Sequence, residues 1–421
     1  MNKKLICRSV ASALPFLMAG AAQASGFQLL EQNASGLGNS YAGSAAVSEN
    51  ASIIFFNPAG MTRLQKREVS LGGNYIKPSY KFSNDGTVNT PAPAGSDGAD
   101  AGDPALVPNS YGSYGLTDNL YFGVGVSVPF GLKTEYSPDW AGRFQALSFD
   151  IKTLNINPSL AYKIGDRFSL GFGLNWQNME AQYIRQAAVN NAVTQNTTIS
   201  LNASSEAWGW NTGVLFKASD NMDIGLSYRS KVKHKLEGML TSSNQLVSPD
   251  VMAEARITLP DTMILSVRQK LSDDWEMLGD ISHTYWSRIN TVPIVRTSGA
   301  NEGTTAQTLD AHFRNTWRLA LGATQTLDSA WKVKYGIAYD QSPVRSTEER
   351  LVSLPDNDRI WVSLGAQWKM DKSSTVDIGA AYLYLRETKI DNNQSTSGRG
   401  RVAGVYSGNV TIFGAQYSLA F

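Results

Sequence analysis

Residues 330–340 alternate without a break. Trp331, Val333, Tyr335, Ile337 and Tyr339 hold one parity; Lys332, Lys334, Gly336, Ala338 and Asp340 hold the other. Successive side chains of a strand point to opposite faces, so the segment predicts a strand with one aromatic, apolar face and one polar face. The pattern recurs at 167–177, where Phe168, Leu170, Phe172, Leu174 and Trp176 alternate with Ser169, Gly171, Gly173, Asn175 and Gln177, and again at 221–233. Such strands need two different solvents. A sandwich core would explain the apolar faces but not the aromatic residues at their ends. An aromatic girdle at a lipid interface explains both.

Short polar turns punctuate the chain at roughly even spacing. Thr117-Asp118-Asn119, Gly165-Asp166-Arg167, Ser219-Asp220-Asn221, Ser272-Asp273-Asp274, Asp328-Ser329 and Asp371-Lys372-Ser373 each precede an alternating run. Between them lie segments rich in Gly, Ser, Asn and Pro, at 83–104, 187–205 and 297–310, which read as loops. Short turns at one end and long loops at the other are the signature of an outer-membrane barrel. Counting strands gives 14, an even number as bacterial barrels require. The last alternating run is Phe413, Ala415, Tyr417, Leu419 and Phe421, ending on an aromatic residue. The expected fold class is therefore all-β, a 14-stranded antiparallel transmembrane β-barrel over residues 67–421 in the bacterial outer membrane.

The N-terminus agrees with export. Asn2-Lys3-Lys4 precedes an apolar run from Val10 to Ala22, and Ala22-Gln23-Ala24 has the form of a cleavage site, so residues 1–24 read as a signal peptide. The single cysteine, Cys7, lies in that leader, which leaves the rest without disulfide or thiolate chemistry. Three histidines give little basis for a zinc site, so no metal or cofactor is expected. A net charge of +1 argues against nucleic acid as a partner. Gly-x-Ser-x-Gly is absent, and no enzyme is expected.

Strand parity assigns Arg185, Arg229, Lys231, Lys233, Arg314, Arg318, Lys332, Lys334 and Arg359 to the lumen, against fewer carboxylates such as Asp223, Asp340 and Asp377. Two readings stand: a hydrated wall of partly paired charges, or a cationic interior suited to an anionic head group. Trp361, Leu383 and Leu385 also fall inward, which suits a tunnel for an amphiphile better than a water-filled pore. The third strand runs cleanly from Tyr121 to Val128 and then meets Pro129-Phe130-Gly131. Proline cannot donate to a ladder, so either the strand ends there or it kinks and leaves a gap in the wall. Before the first strand, residues 25–66 follow neither a strand nor a helix period and close on Phe55-Phe56-Asn57-Pro58-Ala59-Gly60-Met61.

Several motifs, in order along the chain, resemble the FadL family of outer-membrane transporters of long-chain fatty acids and related hydrophobic compounds. They are Gly26-Phe27-Gln28-Leu29, Ser35-Gly36-Leu37-Gly38, Asn57-Pro58-Ala59, Tyr228-Arg229-Ser230, Trp317-Arg318-Leu319-Ala320-Leu321-Gly322 and Leu354-Pro355-Asp356-Asn357-Asp358-Arg359-Ile360-Trp361. The resemblance implies that residues 25–66 form a hatch inside the lumen, with Asn57, Pro58 and Ala59 as its motif. It implies that Pro129, Phe130 and Gly131 form a kink beside a lateral opening, and that Arg185 and, on another strand, Arg314 contact ligand. Trp361 joins them as an inward ligand-binding candidate, with Asp340 and Arg359 as lumen charges. The implied function is passive uptake of long-chain fatty acids by capture, hatch rearrangement and lateral diffusion; a transporter of alkanes or monoaromatic hydrocarbons is the alternative. Hydrophobic or amphipathic small molecules, outer-membrane lipid and lipopolysaccharide are the expected partners, and the chain is expected to be a monomer. The segment 187–205 is short where the family carries a helical hairpin.

Overall fold

A computed structural model describes residues 26–89, 95–189, 192–245 and 248–421; the expected leader and its cleavage site lie outside them. Among the described residues the strands join into fourteen staves of one antiparallel sheet. In chain order they are β1 (Arg67–Asn84), β2 (Ala105–Gly115), β3 (Leu120–Ser127 and Gly131–Glu135), β4 (Ser148–Ile164), β5 (Phe168–Val189), β6 (Ala192–Ser219) and β7 (Met222–Arg229 and Val232–Ser242). Then follow β8 (Val251–Leu259 and Thr262–Lys270), β9 (Trp275–Thr284 and Thr291–Arg296), β10 (Thr305–Asp310 and Thr316–Thr326), β11 (Trp331–Asp340), β12 (Arg359–Lys369), β13 (Ser374–Leu385 and Thr388–Asn393) and β14 (Arg401–Ala420). The sheet closes on itself, with β1 pairing β14 from Glu68 opposite Ala420 to Asn84 opposite Gly404. Closure removes the edges that lipid could not satisfy.

The two faces separate as the alternation requires. On β11, Tyr335 and Ile337 are 40% and 52% exposed, whereas Lys334, of the opposite parity, is buried in the interior. Trp331 stacks on Trp368 across β11 and β12 at 5.7 Å, near the short-turn end. By the rule for bacterial barrels those short turns face the periplasm.

Two expectations need correction. The segment 187–205 is not a loop: β5 and β6 continue as one hairpin, paired out to Val189 opposite Ala192. Its run of Val193, Thr194, Thr197, Thr198, Ile199 and Leu201 has high strand propensity, and a hairpin pairs its backbone internally even in water. Likewise Thr305–Asp310 is strand rather than loop. Lys231 and Lys233 do not face the lumen. The irregularity at Ser230 and Lys231 shifts the parity of β7, so Val232, His234 and Leu236 are buried while Lys231 and Lys233 turn outward.

Residues 26–66 pack against the inward faces of the staves. They contain a 3₁₀ turn at Leu37–Asn39, a helical turn at Ile53–Phe56 and a 3₁₀ turn at Pro58–Arg63. Asn57 caps the last turn by accepting from the Ala59 amide at 3.1 Å, and Pro58 sits where a missing N–H costs nothing. The Asn57 amide also donates to Ala45 O at 2.7 Å and to Val214 O at 3.0 Å. Inward glycines make the fit possible. A Cβ at Gly171 would strike the Pro58–Ala59 backbone, one at Gly213 the Asn57 side chain, one at Gly225 the Ala45 carbonyl and one at Gly336 the Asn39–Ser40 backbone. The Gly213→Val variant should therefore insert as a barrel but seat the segment poorly. Heat-modifiable migration should be retained and single-channel conductance raised; unchanged conductance would contradict this packing.

Candidate functional site

Two of the cavities in the lumen are divided by aromatic rings. The upper cavity, about 720 Å³, is walled by apolar side chains from eight consecutive staves, among them Leu132, Phe149, Met179, Leu201, Leu236, Ile257, Ile294 and Leu309. Phe27 and Phe313 form part of its lining. Phe27 lies 5.0 Å from Trp286 and 5.9 Å from Phe130, and Trp286 lies 5.9 Å from Phe313. These four rings form a partition. Below it a mixed chamber of about 680 Å³ is lined by Gln28, Phe55, Asn211, Arg229, Arg318 and Asp340 among others, and Trp286 of the partition also lines this chamber.

Arg185 stands at the rim of the upper cavity, two residues along the inward face from Tyr183, which lines it. Its Nε donates to Gln307 Oε1 at 2.6 Å and its Nη1 to Gln186 O at 3.1 Å. It makes no ion pair among the described residues. An apolar hole with a guanidinium at its rim can take a molecule with a long hydrocarbon body and an acidic head.

The structure places the other candidates as follows. Arg314 is not at the cavity: its neighbour Phe313 takes the inward position, so Arg314 turns away, donating from Nε to Ser342 O at 3.1 Å and pairing with Asp358 at 3.7 Å. Trp361 faces inward but packs between Arg318, 5.1 Å above its ring, and Tyr41 of the N-terminal segment at 6.4 Å. It supports that segment and lines neither cavity. Asp340 and Arg359 both face inward, opposite one another in the register, and Arg359 also bonds Asp356. Trp286 and Phe313 escaped the sequence reading because β9 and β10 break between Thr284 and Thr291 and between Asp310 and Thr316, where no parity can be counted. The signal was the interruption itself, Tyr285-Trp286-Ser287-Arg288.

Pro129, Phe130 and Gly131 interrupt β3. The piece below them pairs with β2 up to Ser110 opposite Val126; the piece above pairs only with β4 within the sheet. Ala105 to Asn109 of β2 thus have no ladder partner on that side, and the wall is unpaired there until residues 100–102 cross, with Glu135 N donating to Ala101 O at 3.1 Å. The kink's own backbone is satisfied from within. Gly131 N donates to Phe27 O at 2.9 Å, Leu29 N to Pro129 O at 2.8 Å and the Gln32 amide to Val128 O at 2.8 Å. Thr153 serves both polar groups of Phe130.

The family described as outer membrane protein transport protein (OMPP1/FadL/TodX) matches residues 16–421. The chain belongs to this family. It is 31% identical to outer membrane protein P1 of Haemophilus influenzae over 89% of each chain, and 28% identical to the long-chain fatty acid transport protein of Escherichia coli K12 over 100% of each. The crystal structure of a Pseudomonas aeruginosa FadL homologue superposes with a TM-score of 0.87 at 24% identity, over 94% of this chain and 100% of that one. The toluene transporter TodX of Pseudomonas putida gives 0.72 at 16% identity over 94% and 100%, a likeness of fold. This FadL/TodX-type protein is thus an outer-membrane transporter of hydrophobic compounds and not an enzyme.

Glu31 lies in the ribbon that bonds the kink. It is fully buried, and neither carboxylate oxygen has a well-formed hydrogen bond among the described residues. Burial pushes its carboxyl up from 4.5 to about 7, against the pull of the Glu31 and Leu30 amides and of the Arg359 and Arg318 guanidiniums. A carboxyl whose folded value is raised favours the docked ribbon fully below the ordinary value, and that contribution is lost as pH rises toward 7. Hydrogen exchange of amides 27–33, corrected for intrinsic rates, should show weaker protection at pH 8 than at pH 5. Glu31→Gln should abolish the difference; an unchanged pH dependence would refute the assignment to Glu31.

Proposed function

We propose that this protein carries long-chain fatty acids passively across the outer membrane. The chain enters the upper cavity with its carboxylate held at Arg185 and leaves sideways through the unpaired wall beside Pro129-Phe130-Gly131. The observation that carries the reading is the apolar cavity with an ion-unpaired Arg185 at its rim and with Phe27, 5.9 Å from the kink residue Phe130, in its lining. The Escherichia coli relative, a long-chain fatty acid transport protein matched over its full length, supports the same cargo class. Residues 26–66 act as the hatch: the ribbon 27–32 holds the kink closed by main-chain bonds and releases it when the cavity is occupied.

The physical case for a lateral exit is energetic. At about 0.8 kcal/mol per methylene, a chain of about 16 carbons gains on the order of 11 kcal/mol by leaving water. Release into the aqueous periplasm would forfeit most of that, whereas exit through a wall gap keeps the chain in apolar surroundings. The carboxylate needs a cation meanwhile, because an unpaired buried charge is costly.

A neutral cargo such as toluene has no use for Arg185, and this separates the two cargo classes. Arg185→Met should weaken binding of a long-chain fatty acid about tenfold or more and leave an uncharged aromatic unaffected. Equal fatty-acid affinity in the variant would favour the hydrocarbon reading. Deleting residues 129–131 to straighten β3 should abolish cellular uptake of labelled oleate in a barrel that still folds, and persistent uptake would exclude the lateral route.

A further inference from the structure

Beneath the partition, the mixed chamber has a feature that its own contacts do not use. Three donors on its wall are buried and unpartnered: Arg318 Nε, Asn211 Nδ2 and Trp286 Nε1. Arg318 is 7% exposed, Asn211 2% and Trp286 0%, so bulk water does not solvate them freely. They come from three separate parts of the wall, β10, β6 and the break in β9. Buried polar groups are ordinarily paired, and donors left without an acceptor carry the cost of their lost solvation.

Several other polar groups of the chamber are partnered, and Asp340 stands opposite Arg318 in the β10–β11 register. Gln28 Nε2 donates to Thr262 at 3.2 Å and Gln28 Oε1 accepts from Thr284 at 3.2 Å. Arg229 Nη2 donates to Phe55 O at 2.8 Å, and its Nη1 bonds Asn175. Arg318 Nη2 donates to Ser40 O at 2.7 Å, which aims the guanidinium, while Nε remains. Arg318 makes no ion pair among the described residues. The chamber carries the charges of Arg229 and Arg318 against the one carboxylate of Asp340. One net positive charge and three idle donors in its lining suit an acceptor-only anion.

We propose that this chamber is a second binding site, which takes the carboxylate of an amphiphile after its head has passed the Phe27–Trp286–Phe313 partition. The proposal rests on the fatty-acid reading for the identity of the cargo, but not for the existence of the site. In it the head group lies against Arg318 Nε, Asn211 Nδ2 and Trp286 Nε1, while the chain extends up between the rings. The kink lies beside the same partition through Phe130, 6.3 Å from Trp286. Seating the head here draws the chain past the kink before release, so the lower chamber is a waiting station rather than a route into the periplasm.

The test is equilibrium binding of radiolabelled octanoate, and separately of benzoate, to the full chain in lipid nanodiscs, with empty discs as the reference. The wild type should bind two octanoates. Arg318→Gln, Asn211→Leu and Trp286→Phe should each weaken one of them about tenfold or more and spare the other, which Arg185→Met removes instead. Asn211→Leu and Trp286→Phe leave the Arg318–Ser40 contact in place, so a loosened hatch cannot mimic the result; conductance checks that it stays seated. One site in the wild type, insensitive to all three changes, would show that the donors hold water only and overturn the proposal while leaving the transport reading intact. Benzoate binding that depends on Arg318, with no octanoate bound anywhere, would support the chamber and overturn the fatty-acid reading. Binding of neither probe would overturn both.

Discussion

A bilayer offers no partner to a peptide group, so every N–H and C=O in the wall has to be paired by the protein. Nearly all of this barrel meets that demand through its ladder, including the β1–β14 seam. One exception among the described residues is the upper half of β3, where proline removes a donor and the strand turns away from β2. The kink persists because residues 27–32 and Thr153 supply the missing partners from inside. The rest of the lumen is organised around that debt: the segment that settles it fills the barrel, and the rings attached to it divide the space.

The N-terminal segment is held in two unlike ways. Its body, from Leu37 onward, is wedged backbone-first against inward glycines on many staves, and Lys334 ties it to the wall by bonding Glu49 at 2.7 Å, Ser35 O at 2.9 Å and Asp377 at 3.2 Å. Buried ion pairs of this kind fix geometry more than they add stability. The ribbon before it has no such wedge. It rests on single hydrogen bonds to the kink, on Asn74 and Tyr111, which donate to Glu31 O and Gln32 O at 2.8 Å each, and on ring contacts of Phe27. Local opening draws on the least-supported part of a structure, so the ribbon is the part suited to move and the glycine-seated body is the part suited to stay.

The sequence made the wall legible because period-2 alternation is a direct image of a two-solvent strand. It made the inward charges legible only as far as parity could be counted. At Ser230–Lys231 one irregularity sends Lys233 outward, and at Ala311–Asn315 another gives the inward place to Phe313 instead of Arg314. The hairpin above Arg185 was hidden for a different reason. Its Thr- and Asn-rich strands stand clear of lipid, so neither face needs the apolar code that marks the others. The partition was hidden because its members come from the N-terminal ribbon, the kink and two strand breaks, segments that share no period and meet only in the fold.

Those breaks have a common consequence. Where β3, β9 and β10 lose their regular register, they point Phe130, Trp286 and Phe313 into the lumen at the level of Phe27. Phe27 lines the upper cavity, so in the proposed uptake route a chain filling that cavity meets this ring. Phe27 O is also the acceptor for Gly131 N. In the proposed route, a displaced ring would move the carbonyl that bonds the kink, so occupancy and opening would act on the same residue. The coupling needs no long pathway. It needs only that the floor of the cavity and the latch of the gap be one side chain and its own peptide group.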